Sequence, residues 1–108
     1  MTALHVDLLR HPDRPVMHLV GELDITALPV LRQAVDAALA AQPATLEVDV
    51  AALTFGDSSG LQGLLQIQHA ADQNGAALRL THVQGQLHRV LRLTHLEAAF
   101  DIAPAATT

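Results

Sequence analysis

Apolar residues recur along this chain with two periods, and the alternation between them lays out an order of elements. Leu4, Val6 and Leu8 alternate with His5 and Asp7, which predicts a half-buried strand over Leu4–Leu9. Arg10-His11-Pro12-Asp13-Arg14 interrupts the pattern as a turn, with proline as the breaker. A second strand runs from Val16 to Val20 and on to Gly21, and the two segments read as an antiparallel hairpin. Gly21-Glu22-Leu23-Asp24 leaves that strand. Thr26 is placed to cap the helix that follows, and Pro29 is tolerated in its first turn, where no backbone donor is needed. Leu28, Leu31, Val35, Ala38 and Leu39 then mark one face of a helix of about 13 residues. Gln42-Pro43 ends it.

Thr45 to Val50 is a third strand, with Leu46, Val48 and Val50 on one face and Glu47 and Asp49 on the other. Such one-sided alternation implies a sheet packed mainly on one side. The second helix spans Ser58 to Asn74, with Gly75 as its C′ residue. Gly63 inside that helix costs about 1 kcal/mol relative to alanine, which points to close packing against a neighbour. Ala77 to Thr81 is a fourth strand with Leu78 and Leu80 inward. A shorter helix over Gln84–Leu93 carries Leu87, Val90 and Leu91, and Phe100 and Ile102 pack back before a frayed tail from Pro104. The order β-β-α-β-α-β-α predicts a single α/β domain over residues 1–103 and a tail over 104–108. Its sheet is mixed and four- to five-stranded, with helices mainly on one face.

Composition narrows the class. The chain has 108 residues, 50% of them hydrophobic and 16% charged, which suits one domain and argues against disorder. Phe55 and Phe100 are the only aromatics, so the core is aliphatic. Without cysteine there are no disulfides or thiolate metal sites. No apolar run approaches the roughly 20 residues of a membrane span. His5, Asp7 and Arg10 leave no signal peptide legible at the start, so the expectation is a soluble cytoplasmic protein without membrane insertion. The net charge is −5, and the six basic residues are all arginine, scattered except for Arg89 and Arg92. Nucleic-acid binding needs a basic stripe that this sequence lacks. An acidic chain instead suits a protein partner with a basic face.

The densest chemistry lies in Phe55-Gly56-Asp57-Ser58-Ser59-Gly60-Leu61. It stands where a strand hands over to a helix, and unsatisfied N–H groups and the positive dipole end favour negative charge there. A serine at that place serves as a helix cap, a nucleophile or a phosphate acceptor. Gly60 removes a side chain from the first turn, which suits close approach by another group. Asp24 leaves the second strand at the sheet edge where Asp57 and Ser58 leave the third, so these three are expected to be neighbours, with Glu22 adding to an acidic rim.

Gly56 to Gly60 also matches the G-x-S-x-G elbow of serine hydrolases, with Asp72 and then His82, His88 or His95 following in chain order. Against a small serine hydrolase stand the short sheet and the five residues, Ala51 to Phe55, between the third strand and the motif. The seven histidines show neither i, i+4 pairs on a helix nor i, i+2 alternation on a strand, and their spacing matches no common metal-ligand pattern. No Gly-rich phosphate loop is present, so no nucleotide or other cofactor is assigned.

Taken together these stretches resemble the STAS domain, and within it the bacterial anti-sigma-factor antagonists. The resemblance rests on Gly21-Glu22-Leu23-Asp24 followed by Thr26 and Pro29, on Leu46-Glu47-Val48-Asp49-Val50, on Phe55 to Leu61, and on Val90 to Phe100. It covers the chain from about Leu4 to Ile102. It implies a non-enzymatic signalling protein whose unphosphorylated form binds an anti-sigma factor that is also a serine/threonine kinase, thereby freeing the sigma factor. Ser58 matches the phosphorylated serine, and a serine phosphatase resets the switch. Asp24, Glu22, Asp57, Ser59, Gly60 and Leu61 match the surroundings that a partner meets. Gly56 and Gln62 depart from the family's usual residues at their positions, which bears on the loop and on partner choice. The same fold also implies an alternative, a structural STAS subunit of an ABC-type lipid transporter or of a stressosome-like assembly, in which Ser58 only caps a helix.

Overall fold

The computed structural model describes residues 3–9, 14–55, 59–83 and 85–103, apart from the side chain of Glu97. Strands β1 (Leu4–Leu9), β2 (Val16–Leu23), β3 (Thr45–Phe55), β4 (Ala77–Thr81) and β5 (Asp101–Ile102) form one sheet in the order β1-β2-β3-β4-β5. β1 and β2 pair antiparallel as the hairpin pattern predicts, and the remaining neighbours are parallel. Helices α1 (Leu28–Leu39), α2 (Ser59–Gln73) and α3 (Gly85–Leu93) make the connections, with 3-10 turns at Ile25–Ala27 and Glu97–Ala99. The mixed α/β sheet of the sequence reading is therefore present, with β5 as its fifth strand. Gln84, at the start assigned to the third helix, and the tail 104–108 lie outside the described residues.

One face of the sheet is packed. Met17, Leu19 and Leu23 of β2, Leu46, Val48 and Val50 of β3, and Leu78 and Leu80 of β4 are buried. They meet Leu31 and Val35 of α1, Leu64 and Ile67 of α2, and Leu87 and Leu91 of α3 in a single cluster. Each such leucine contributes about 2 kcal/mol by leaving water. No polar or charged side chain is buried among the described residues. The opposite face is polar: Arg14 pairs with Glu47 at 3.2 Å, and Asp49 bridges His18 at 3.0 Å and His82 at 3.1 Å.

β3 is longer than the alternation suggests. It pairs His18 with Asp49 but Val20 with Ala52, so Leu19 faces two residues, Val50 and Ala51. This is a bulge of one extra residue, uncommon in a parallel pair. It inverts the phase of the strand. Before it, even-numbered residues face the helices; after it, Leu53 and Phe55 pack against the core while Ala52 and Thr54 are exposed. A strand ending at Val50 is therefore corrected to one ending at Phe55, because the bulge breaks the period that marks a strand.

Glycines serve the packing in two places. Gly21 has φ +109°, and a Cβ there would strike the Ala3 carbonyl oxygen beside β1, so a side chain is excluded twice. A Cβ on Gly63 would press on Leu28 and lie 3.6 Å from Leu31, both in α1, which is the close helix contact expected from its place in α2. Gly75 closes α2 at φ +76°: its N–H donates to Asp72 and that of Ala76 to Ala71, a Schellman ending.

Candidate functional site

Two strand ends and one helix start meet at one rim. β2 and β3 stay paired to their last residues, Leu23 opposite Phe55. Asp24 follows the end of β2. Residues 56–58 lie outside the described residues, so Asp57 and Ser58 are bracketed by what flanks them: Phe55 ends β3 and Ser59 opens α2.

The first turn of α2 presses on both strand ends. A Cβ built on Gly60 would strike the Phe55 ring and would lie 2.8 Å from the Leu23 carbonyl oxygen. A flexible side chain could give way, but the backbone of a paired strand cannot. The close approach that Gly60 permits therefore comes from inside the fold. Gly60 is buried, Ser59 and Leu61 are half-buried, and Gln62 is exposed.

Asp24 is held by its own turn. Its Oδ1 accepts the Thr26 N–H at 3.0 Å, the Ala27 N–H at 3.2 Å and the Thr26 hydroxyl at 2.6 Å. It is the N-cap of the 3-10 turn Ile25–Ala27. The expected cap at Thr26 is thus corrected. The 3-10 turn inserted before α1 moves the capping position back to Asp24, Thr26 becomes a donor to it, and Ala27 at the N-cap of α1 makes no side-chain cap bond. Pro29 does sit in the first turn of α1. The Thr26 hydroxyl, opposed by partial desolvation and helped by the Ala27 and Thr26 N–H groups and by the Glu22 side chain, holds the Asp24 carboxyl below its ordinary 3.8. A fixed negative charge therefore stands at this rim.

Glu22 is exposed and pairs across to Thr54 on the open face of the sheet, away from the helices. Its side chain also hydrogen-bonds with that of Asp24, so the two acidic positions stand together at the end of β2. Ile25 is a residue the sequence pattern did not single out. It is 64% exposed on the turn that Asp24 locks. The available signal was an apolar residue out of phase with the buried stripe of α1.

Of the hydrolase pattern, Ser58 lies outside the described residues, and Asp72, His82 and His88 are spread over different parts of the fold. The intervening loop invoked against it is absent, because β3 reaches Phe55. Asp72, however, lies near the other end of α2, about 20 Å along its axis from Ser59 at 1.5 Å per residue. His82 is bonded to Asp49 on the open face of the sheet. His88 is exposed on α3. Among the described residues no three His, Asp or Glu side chains converge to hold a metal ion.

Residues 6–103 match the family model described as Mlab, STAS domain. An anti-sigma factor antagonist from Mycobacterium paratuberculosis is 26% identical, with a TM-score of 0.79 over 94% of this chain and 86% of that one. The anti-sigma factor antagonist SpoIIAA in its unphosphorylated form is 20% identical, with a TM-score of 0.68 over 96% and 90% of the two chains. The phosphorylated form of the Bacillus cell fate determinant SpoIIAA is 21% identical, with a TM-score of 0.67 over 94% and 92%. A comparison with curated proteins finds no match.

Two outcomes test this geometry. Gly60→Ala should lower stability by about 2 kcal/mol, as overpacking does. Trimming the ring with Phe55→Leu should restore only part of it, because the Leu23 carbonyl remains; urea midpoints of the three variants decide this. The second outcome concerns Asp24. A carboxylate favoured in the fold stabilises above its unfolded value, near 3.8, and loses that contribution as pH falls through its lower folded value. The wild type should therefore exceed Asp24→Asn in stability at about pH 5, with the gap closing toward about pH 2. A gap constant across that range would contradict the assignment.

Proposed function

We propose, from the premise that the chain belongs to the STAS domain family, that it is an anti-sigma factor antagonist switched by phosphate on Ser58. The unphosphorylated protein binds an anti-sigma factor that is also a serine kinase, and the sigma factor is freed. The kinase transfers the γ-phosphoryl group of ATP to the Ser58 hydroxyl oxygen, ADP leaves, and the complex separates. A serine phosphatase hydrolyses the ester and returns the protein to its binding form. Ser58 is the modified residue. Asp24, Asp57, Ser59 and Leu61, with Gly60 beneath them and Glu22 beyond, form the surface the kinase meets, and Ile25 adds an apolar contact.

The observation that carries this reading is the pairing of Leu23 with Phe55. It sets the end of β2, with its locked Asp24 carboxylate, beside the segment that leads into α2. A phosphate adds about −1.5 to −2 charges. At the start of a 15-residue helix, backbone N–H groups and the dipole favour such charge, so the fold tolerates it. The bound kinase instead meets new negative charge beside Asp24 and Asp57. A local penalty of about 3 kcal/mol weakens binding more than 100-fold. The likeness of this chain to both forms of SpoIIAA, at TM-scores of 0.68 and 0.67, supports a switch that leaves the fold unchanged.

Incubation with ATP and each serine-kinase anti-sigma factor of the same cell, followed by peptide mass spectrometry, tests the proposal. Phosphate is expected on Ser58 and absent from Ser58→Ala. Affinity for the kinase should fall about 100-fold on phosphorylation and at least about tenfold in Ser58→Asp. Stable binding to a transporter ATPase or a scaffold, with no phosphate on Ser58 from any kinase, would replace this reading with the structural one.

A further inference from the structure

The outer strip of α3 carries charge that the switch does not use. Leu87 and Leu91 of this helix are buried. Gly85, His88, Arg89, Arg92 and Leu93 are exposed, stand at i, i+3, i+4, i+7 and i+8 on one helix face, and line a hollow of about 490 Å³. In a chain of net charge −5 these are the two arginines that stand close in sequence. Arg14 and Arg32 have carboxylate partners, at 3.2 Å and 3.1 Å. Arg89 and Arg92 have none within 4.0 Å among the described residues. α3 itself contains no acidic residue to neutralise them. Attraction to the helix dipole accounts for Arg92 in the last turn, but Arg89 stands a turn earlier. Leu93, beside Arg89 at i+4, is 74% exposed, the most exposed large apolar residue among those described.

We propose that this strip of α3 is a second docking surface, and that its occupant is an acidic segment of a protein partner with an apolar residue between its carboxylates. Arg89 and Arg92 lie three residues apart, so their Cβ atoms are about 5–6 Å from each other. That spacing suits two carboxylates one turn apart on a helix. Each guanidinium offers a planar fork to one carboxylate. Leu93 meets the apolar residue, and His88 adds a ring N–H at the edge of the hollow. The rim around Asp24 is negative, so this occupant is drawn to α3 and repelled from the switch surface. The two surfaces thus take partners of opposite charge, and the inference stands whether or not Ser58 is phosphorylated.

The test uses the full chain and a fluorescein-labelled peptide of alternating glutamate pairs and leucines, read by anisotropy and by amide shifts in a 15N spectrum. The peptide should bind, shift residues 85–93, and weaken as salt rises from about 0.05 to 0.3 M. Arg89→Glu with Arg92→Glu should weaken binding about tenfold or more, and Leu93→Ala about threefold. Circular dichroism confirms folding; if the charge reversal unfolds the protein, Arg89→Gln with Arg92→Gln takes its place and should also lose affinity. Equal affinity in the folded double variant, or shifts located elsewhere, would overturn the proposal. So would binding to phosphatidylglycerol vesicles or inorganic phosphate without binding to the peptide.

Discussion

One extra residue in β3 governs the geometry of this molecule. The bulge at Val50–Ala51 inverts the phase of the strand, so Leu53 and Phe55 turn toward the helices and Ala52 and Thr54 toward solvent. A strand without it would place Phe55 on the open face and set Ala52 and Thr54 against the core. With it, Phe55 pairs with Leu23, and its ring closes on the first turn of α2 at Gly60. The start of α2 and the ends of β2 and β3 are thereby bound to one rim. Gly60 makes the closure sterically possible, and Asp24 locks the turn that leaves the same rim.

The division of labour follows from burial. The core is almost wholly aliphatic, with no buried polar or charged residue among the described residues. Chemistry is left to the surface, where charge is sorted by place. Asp24 stands at the rim with one carboxylate oxygen engaged by three donors. In the proposed switch, a carboxylate held that firmly stays in place when phosphate is added nearby. Under that proposal, repulsion builds up against a bound partner instead of relaxing within the fold, and a small local penalty suffices for a switch. The basic strip of α3 is the counterpart: cations without carboxylate partners among the described residues, in an otherwise acidic chain.

Much of this was legible in the residues. Alternation and 3.6-residue stripes located the hairpin, α1, α2, β4 and α3, because each buries one face against a single core. The pair of motifs, Gly21 to Asp24 and Phe55 to Leu61, pointed to the family. Three features were not legible, for physical reasons. The far half of β3 was hidden because a bulge breaks the period that reveals a strand. The cap at Asp24 was assigned to Thr26 because a 3-10 turn between strand and helix leaves no periodic signal. The role of Gly60 was open because a missing side chain shows that something approaches without showing what; Phe55 and Leu23 supply the answer.

The central claim is that phosphate on Ser58 acts by local charge on an unchanged fold. Amide hydrogen exchange resolved by residue, on protein carrying phosphoserine at position 58 beside the unmodified protein, tests it without any partner present. The account predicts altered exchange confined to the Asp24 turn and the first turn of α2. Protection in β2, β3 and β4 should be equal in the two forms. Loss of protection through the strands, or a slipped register between Val20–Leu23 and Ala52–Phe55, would contradict it.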